Sequence, residues 1–169
     1  MYSDYYNMYN PYYGFAETIY RNNEPQMNNE EIITLNEAIG LIRQSVGAEK
    51  EDEMFYDILI KQAPTEKEKD IIRSIRNDER KHNQILRRLY YEFTGQMLPA
   101  ATSNNEPNTN TDYKSNLEKA LFGELDAVVK YRKIMGAMPS GNSYTLLMSI
   151  MTDELRHSSK YNFLIHNAN

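Results

Sequence analysis

The 169-residue sequence contains no cysteine, and its helix breakers are few, with 7 glycines and 6 prolines. The absence of cysteine excludes disulfides, cysteine-ligated zinc, iron–sulfur clusters and rubredoxin-type iron. No apolar run is long enough to cross a bilayer, and the N-terminus lacks the basic and apolar regions of a signal peptide, so a cytoplasmic location is expected. The net charge of −5 argues against general affinity for nucleic acid or anionic membranes.

The N-terminal segment 1–29 differs in composition from the remainder of the chain. Seven of the 14 tyrosines lie between Tyr2 and Tyr20, among Asn, Met and Pro, and no helical or strand period is evident. We interpret segment 1–29 as a mobile tail or an arm that packs on a neighbouring subunit. An adhesive segment for assembly or surface attachment is the alternative. Residues 30–169 are predicted to form one domain.

Four amphipathic segments follow, and no strand pattern accompanies them. Thr34-Leu-Asn-Glu37 and Thr65-Glu-Lys-Glu68 have the form of capping boxes, and Ser115 is the expected cap of a third helix. Apolar residues recur at spacings of three and four after each of these starts. The sequence therefore predicts an all-α fold made of two helical hairpins, at 34–95 and 113–167. The segment 96–112, rich in Pro, Asn, Thr and Ser, is predicted to be a linker.

The two predicted hairpins are related by an internal repeat, in which every matched residue recurs at one constant interval. Each half reads E-x6-Y-x7-P-x14-E-x-x-H. The identical pairs are Glu49 and Glu124, Tyr56 and Tyr131, Pro64 and Pro139, Ile75 and Ile150, Asp78 and Asp153, Glu79 and Glu154, and His82 and His157.

The spacing of the repeat predicts a metal site. In each half the turn proline lies midway between the two glutamates, so both carboxylates are expected about 22 Å from the turn, at one height on adjacent helices. The E-x-x-H spacing places its Glu and His on one helix face. Two hairpins packed together would unite four carboxylates and two imidazoles, the arrangement of dinuclear carboxylate bundles. Since buried like charges are costly, two divalent cations are expected. The predicted ligands are Glu49, Glu79, His82, Glu124, Glu154 and His157.

Over residues 34 to 167 the chain resembles rubrerythrin-like members of the ferritin-like superfamily, on the strength of Glu79-Arg-Lys-His82 and Glu154-Leu-Arg-His157. The resemblance implies a ferritin-like four-helix bundle in which Glu79 and Glu154 bridge two metals. It also implies that Glu49 and Glu124 are terminal carboxylates, and that each histidine binds one metal.

Further residues are candidates for the surroundings of this site. By the resemblance, Tyr56 and Tyr131 hydrogen-bond to ligands, although they are also ordinary as core tyrosines. Asp78 and Asp153 suit a position behind the histidines, where each would orient an imidazole, with a solvent-facing role as the alternative. Glu53, one turn after Glu49, is a possible auxiliary ligand or a residue at the entrance.

The chain departs from the resemblance in two respects. Ala127 stands where rubrerythrins commonly carry an extra glutamate, which puts metal movement through that carboxylate in doubt. The iron–thiolate electron-transfer module is also missing, so a separate electron-donor protein is expected.

The leading functional hypothesis is a di-iron oxidoreductase that reduces peroxide or dioxygen while ferrous iron becomes ferric. Manganese is an alternative metal, and zinc a possible substitute. The alternative functions are a manganese catalase that disproportionates peroxide, and a metal-stabilised coat-type protein that acts through its Tyr-rich arm. A homodimer or higher oligomer is expected. The linker allows either a long crossover within one chain or hairpins exchanged between subunits.

Overall fold

The computed structural model describes residues 32–101 and 112–168, except for the side chain of Glu49. The chain divides into two units, Met1–Glu31 and Ile32–Asn169. The arm predicted at residues 1–29 lies outside the described residues, as does most of the predicted linker.

All regular secondary structure in the described part of the chain is α-helical, which confirms the prediction of an all-α fold. The four described helices are α1 at Leu35–Gln62, α2 at Glu66–Thr94, α3 at Tyr113–Ala137 and α4 at Asn142–Asn167. None of them combines the length and apolar character that crossing a membrane requires.

The first two helices begin at the predicted capping boxes. The hydroxyl of Thr34 accepts a hydrogen bond from the backbone N–H of Glu37, whose carboxylate accepts one from the backbone N–H of Thr34 at 2.7 Å. Thr65 and Glu68 repeat this arrangement at the start of α2. Each box satisfies two backbone donors that have no partner within the helix, so both helix starts are encoded locally.

The expected cap of the third helix was wrong, because α3 begins earlier than Ser115. Asp112 is the N-cap: its Oδ1 accepts from the backbone N–H of Ser115 at 3.0 Å and its Oδ2 from the Ser115 hydroxyl at 2.6 Å. Aspartate caps helices as well as serine does, and its charge also favours the positive end of the helix dipole. Ser115 is therefore a partner of the cap, within the first turn.

Each helix packs on two others: α1 and α4 both contact α2 and α3. The interior contains two separate apolar clusters. The first is formed by the beginnings of α1 and α4 and the ends of α2 and α3, with Ile42, Leu89, Ile134, Leu147 and Ile150 among its fully buried residues. The second is formed by the opposite ends of the same helices, including Leu59, Ile72, Ile75, Leu117 and Leu164. Since α2 and α3 both end in the first cluster, these two helices run in the same direction.

The predicted metal ligands lie between the two apolar clusters. On α4, Glu154 and His157 come after Ile150 of the first cluster and before Tyr161 of the second. Along α2 the order of the clusters is reversed: His82 comes after Ile75 of the second cluster and before Leu86 of the first. A polar layer therefore lies at the middle of the helical unit, with one apolar cluster on each side of it along the helix axes.

Candidate metal centre

Ligand atoms from three helices converge in this polar layer. One potential ligand atom from each of Glu79, Glu124, Glu154 and His157 lies within 4.8 Å of the other three. Three of these residues are buried, and Glu79 is partly buried. Such proximity of three carboxylates in the interior is unfavourable unless positive charge balances it.

Both histidines direct Nδ1 towards the carboxylates. The Nδ1 atom of His157 lies 3.0 Å from Glu79 Oε1, 3.4 Å from Glu154 Oε2 and 3.7 Å from Glu124 Oε2. The Nδ1 atom of His82 lies 3.3 Å from Glu79 Oε1 and 3.5 Å from Glu154 Oε1. The two rings are stacked, with centroids 5.7 Å apart. Glu79 and Glu154 thus lie between the two imidazoles.

The outer nitrogen of each histidine faces the aspartate of the other E-x-x-H motif. His82 Nε2 lies 3.1 Å from Asp153 Oδ2, and His157 Nε2 lies 3.5 Å from Asp78 Oδ2. Arg156 joins the two aspartates, with Nη2 at 2.8 Å from Asp78 Oδ2 and from Asp153 Oδ1. A carboxylate oxygen accepts hydrogen bonds, so these contacts favour a proton on Nε2 and leave Nδ1 to act as a ligand.

Without a cation, the imidazoles carry the balancing charge. Burial alone would lower the pKa of His82, but Glu154 and Glu79 raise it to about 10. The pKa of His157 is similarly lowered by burial and raised, to about 11, by its contacts with Glu124, Glu154 and Glu79. Two protonated imidazoles therefore occupy the place that metal cations would take, and metal binding must displace their Nδ1 protons.

The pKa values of Glu124 and Glu154 are shifted in opposite directions by this environment. Burial raises the pKa of Glu124, and although His157 opposes this, Glu154 adds to it. Burial alone would also raise the pKa of Glu154, but contacts with His157 and His82 hold it well below its usual range. Glu154, which lies between both imidazoles, is therefore the more strongly ionised of the two.

Several potential ligand atoms of this cluster lack hydrogen-bond partners in the described part of the chain, which fits a bound metal ion. Four ligand atoms in this group are buried and have no hydrogen-bond partner in the described structure: Glu79 Oε1, His82 Nδ1, Glu154 Oε2 and His157 Nδ1. They approach one another as ion pairs at 3.0–3.5 Å. Buried polar atoms almost always have partners, and a concentration of exceptions needs a cause. Since convergent oxygen and imidazole donors without partners are what a cation requires, the buried Glu and His cluster can hold a metal ion.

The described structure does not test one of the predicted carboxylates and directs another towards cationic side chains. Glu49 lies on α1, but its side chain lies outside the described residues. Glu53 forms an ion pair between helices instead, with its Oε1 at 2.9 Å from Arg80 Nε, and its Oε2 lies 3.8 Å from Lys50 Nζ. Both partners of Glu53 are cationic side chains rather than ligands, so Glu53 is positioned at the edge of the site.

Tyr56 and Tyr131 are buried at the two ends of the polar layer, each in a different apolar cluster. Burial is the main cause that raises the pKa of both hydroxyls far above its usual value; for Tyr56 the neighbouring Tyr161 comes next, and nearby carboxylates add to the shift of both. For Tyr56 those carboxylates include Glu79 and Glu124. Both tyrosines therefore stay protonated and retain a hydrogen-bond donor beside the acidic group.

Two residues near the site were missed by sequence reasoning. Tyr161 is fully buried, and its pKa is raised by burial and then by Glu124 and Glu79. It lies one turn after His157 on the same helix face, a spacing that could have indicated it. Asp52 reaches solvent, yet desolvation by the surrounding protein and the charge of Glu79 raise its pKa to about 6.

A cavity of about 560 Å³ adjoins the cluster and is partly open to solvent. Its inner wall includes His82, Glu79, Glu124 and Glu154, and side chains from all four helices line it. Such a volume is ample for a small oxidant together with water. The three carboxylates therefore line a cavity that opens to solvent.

We expect the aspartates behind the histidines to control metal affinity. Changing Asp78 and Asp153 together to asparagine removes the charge that stabilises each Nε2–H, and metal affinity should fall roughly 10- to 100-fold. Competition with a chelator of known affinity measures the change. The matched control replaces the exposed Asp70 and Asp126 by asparagine and should leave affinity unchanged. Equal affinity in both double variants would contradict a role for Asp78 and Asp153.

No protein-family model matches this sequence, and the curated proteins contain no match. Among solved structures, the chain is similar to a hypothetical protein from Pyrococcus furiosus, with a TM-score of 0.62 and 21% sequence identity. The match covers 79% of this chain and 89% of that chain. This similarity shows a shared helical fold and carries no information about activity.

Proposed function

We propose that this chain is a ferritin-like four-helix bundle that binds two metal ions, and that with iron bound it is a non-haem oxidoreductase for peroxide or dioxygen. The observation that carries the proposal is the set of four buried Glu and His ligand atoms that converge without hydrogen-bond partners. In a purely structural polar layer, hydrogen bonds with the backbone or with neutral side chains would be expected to satisfy these atoms.

The helix directions support the ferritin-like part of the proposal. Since α2 and α3 run in the same direction, the end of α2 and the start of α3 lie at opposite ends of the helical unit, as the ferritin-like topology requires. Ligand atoms from α2, α3 and α4 of one chain already lie together. This group of ligands therefore does not need hairpins exchanged between subunits.

The contacts suggest a role for each ligand. Glu79 and Glu154 each approach both imidazoles, which suits bridging carboxylates. Glu124 approaches only His157 of the two histidines, which suits a terminal ligand on that side. The repeat assigns Glu49 the same role beside His82. Each metal would then have one imidazole and one terminal carboxylate, with two carboxylates shared.

The ligand chemistry favours iron or manganese. Carboxylates and imidazoles without sulfur form a hard ligand set that suits either metal, and zinc can substitute. When bound, two ferrous ions would supply the two electrons that, with the uptake of two protons, reduce one peroxide molecule to two molecules of water. Since the chain has no cysteine with which to bind an electron-transfer centre, a separate donor protein would return the electrons.

The chain itself contributes shielding, access and protons. The two apolar clusters keep bulk water from the polar layer at both ends. The cavity admits a small oxidant to the carboxylates. Tyr161 and Tyr56 hold protonated hydroxyls beside the site and can donate hydrogen bonds to a substrate oxygen. Both tyrosines line the cavity through which a substrate would enter.

A single-turnover titration tests the proposed chemistry. Protein loaded anaerobically with ferrous iron should bind two ions per chain, and one equivalent of peroxide per chain should convert both to the ferric state, as read by absorbance. Loading with zinc gives the matched control, which should show no absorbance change. Iron that stays bound and ferrous under both peroxide and dioxygen would contradict the proposal. Sustained oxygen evolution from peroxide with manganese alone would instead indicate a catalase.

A further inference from the structure

The outer face formed by α3 and α4 carries an apolar surface that is separate from the metal site. Its six residues are exposed by between 37% and 63%, and none of them lines the cavity. We call them the outer stripe: Phe122, Leu125 and Val129 on α3, and Tyr144, Met148 and Leu155 on α4.

The spacing in the outer stripe matches that of helices which pack on further helices. On α3 the three residues follow at steps of three and four, and on α4 Tyr144, Met148, the partly buried Met151 and Leu155 follow at steps of four, three and four. Steps of three and four in alternation form the seam of a helix-to-helix contact. The buried faces of both helices are already occupied by the interior clusters. The stripe is therefore a second apolar seam that faces outwards.

The internal repeat provides a comparison within the same chain. The repeat pairs each residue of the outer stripe with an equivalent place on the first hairpin, where four of the six residues are lysine or arginine. They are Gly47, Lys50, Met54, Lys69, Arg73 and Arg80. The same surface of the same hairpin motif is thus charged in one half and apolar in the other. The fold itself does not require apolar residues there, because the first hairpin forms without them.

The charges at the ends of the α3 stripe are complementary to each other. Exposed Glu118 lies one turn before Phe122, and the partly buried Lys133 lies one turn after Val129. If a second copy of α3 packs in the opposite direction, the acidic end of each stripe meets the basic end of the other. One copy of the surface is therefore suited to another copy of itself.

The size of the stripe also suits a dimer. With typical side-chain areas, the exposed parts of the six residues amount to about 500 Å², at the upper end of what monomers leave exposed. A polar rim would extend this towards the roughly 800 Å² per partner of a standard interface. An apolar centre with charges at its ends is the usual composition of such an interface.

We propose that the outer stripe is the interface through which two copies of this chain form a symmetric dimer, with α3 and α4 of one copy packed on those of the other. The metal sites lie inside each copy and the cavity lining remains outside the contact. This proposal does not depend on the metal or on the proposed reaction.

Sedimentation of the full-length chain tests the proposal. Wild type is expected at twice the mass of the 19.8 kDa chain at micromolar concentration. Leu125→Lys with Leu155→Arg introduces the residues that the first hairpin has at the equivalent positions, and it should raise the dissociation constant of the dimer about 100-fold or more. Gln44→Lys with Asn77→Arg adds the same charges at exposed positions of the first hairpin and should leave the dimer intact.

Circular dichroism separates loss of association from loss of folding. The stripe variant should keep the helical signal of wild type, because the first hairpin carries the same residues in the same fold. If that variant unfolds, the milder single change Met148→Arg, which copies Arg73 of the first hairpin, should still weaken the dimer. Wild type that sediments as one chain, or a folded stripe variant that dimerises as tightly as wild type, would overturn the proposal. A monomeric wild type would mean that something other than a second copy covers the stripe.

Discussion

Changing Glu79 and Glu154 together to glutamine is expected to abolish stoichiometric metal binding. These two carboxylates lie between the imidazoles, and each approaches both Nδ1 atoms within 3.0–3.5 Å. Glutamine keeps the size and helix propensity of glutamate but removes two negative charges, which leaves Glu124 as the one described carboxylate near a histidine Nδ1. The loss of affinity should well exceed the roughly 100-fold that substitutions behind metal ligands produce.

Metal analysis after dialysis against buffer measures this effect, with circular dichroism as the check on folding. The matched control replaces two exposed glutamates of the same helical unit, Glu92→Gln on α2 and Glu118→Gln on α3, and should retain the wild-type metal content. A folded Glu79 and Glu154 double variant that still holds two ions per chain would show that the cluster does not bind the metal.

The helical framework was largely predictable, because its signals are local. Thr34, Thr65 and the turn residues act within one or two turns of their own helix, so sequence is sufficient to place those ends. The third helix shows the limit of this reasoning. Asp112 and Ser115 both resemble caps, and only the structure shows that the carboxylate of Asp112 is the group that accepts the backbone N–H.

The cluster of ligands was predictable for a different reason, which is the repeat. One E-x-x-H motif has little significance, but two copies at matching places, each preceded by a glutamate before the turn proline, predicted residues that the structure brings together from three helices. The predicted place of Glu49 stays a prediction. The repeat did not indicate that each aspartate faces the histidine of the other motif, because that depends on how α2 and α4 face each other.

The differences between the two halves were the part that sequence reasoning did not use. Tyr161 corresponds to Leu86, and Asp52 corresponds to Ala127. Matching positions give the site its approximate symmetry, whereas these two pairs make its halves chemically unequal: one side has a phenol and the other an additional carboxylate. Periodicity detects apolar positions and treats Tyr161 as another core residue, so the hydroxyl group became significant only when the structure placed it near acidic ligands.

Metal binding is also expected to stabilise the fold strongly. The ligands lie far apart in the sequence and converge only when the helices are packed, so the unfolded chain should bind metal much more weakly than the folded chain. With free ferrous iron at about 1,000 times its dissociation constant, the free energy of unfolding should rise by about 4 kcal/mol per independent site. Guanidinium unfolding under anaerobic conditions, followed by circular dichroism with and without iron, measures this change.

The Glu79 and Glu154 double variant separates specific binding from general ion effects in this experiment. Its free energy of unfolding should be the same with and without iron, whereas the Glu92 and Glu118 control should gain as much as wild type. Identical unfolding curves for metal-free and iron-loaded wild type would contradict the prediction even if iron copurified with the protein. In that case the metal would be held by side chains that bind it equally well in the unfolded chain. The negative charge of the carboxylates in the polar layer would then be balanced by the two protonated histidines alone.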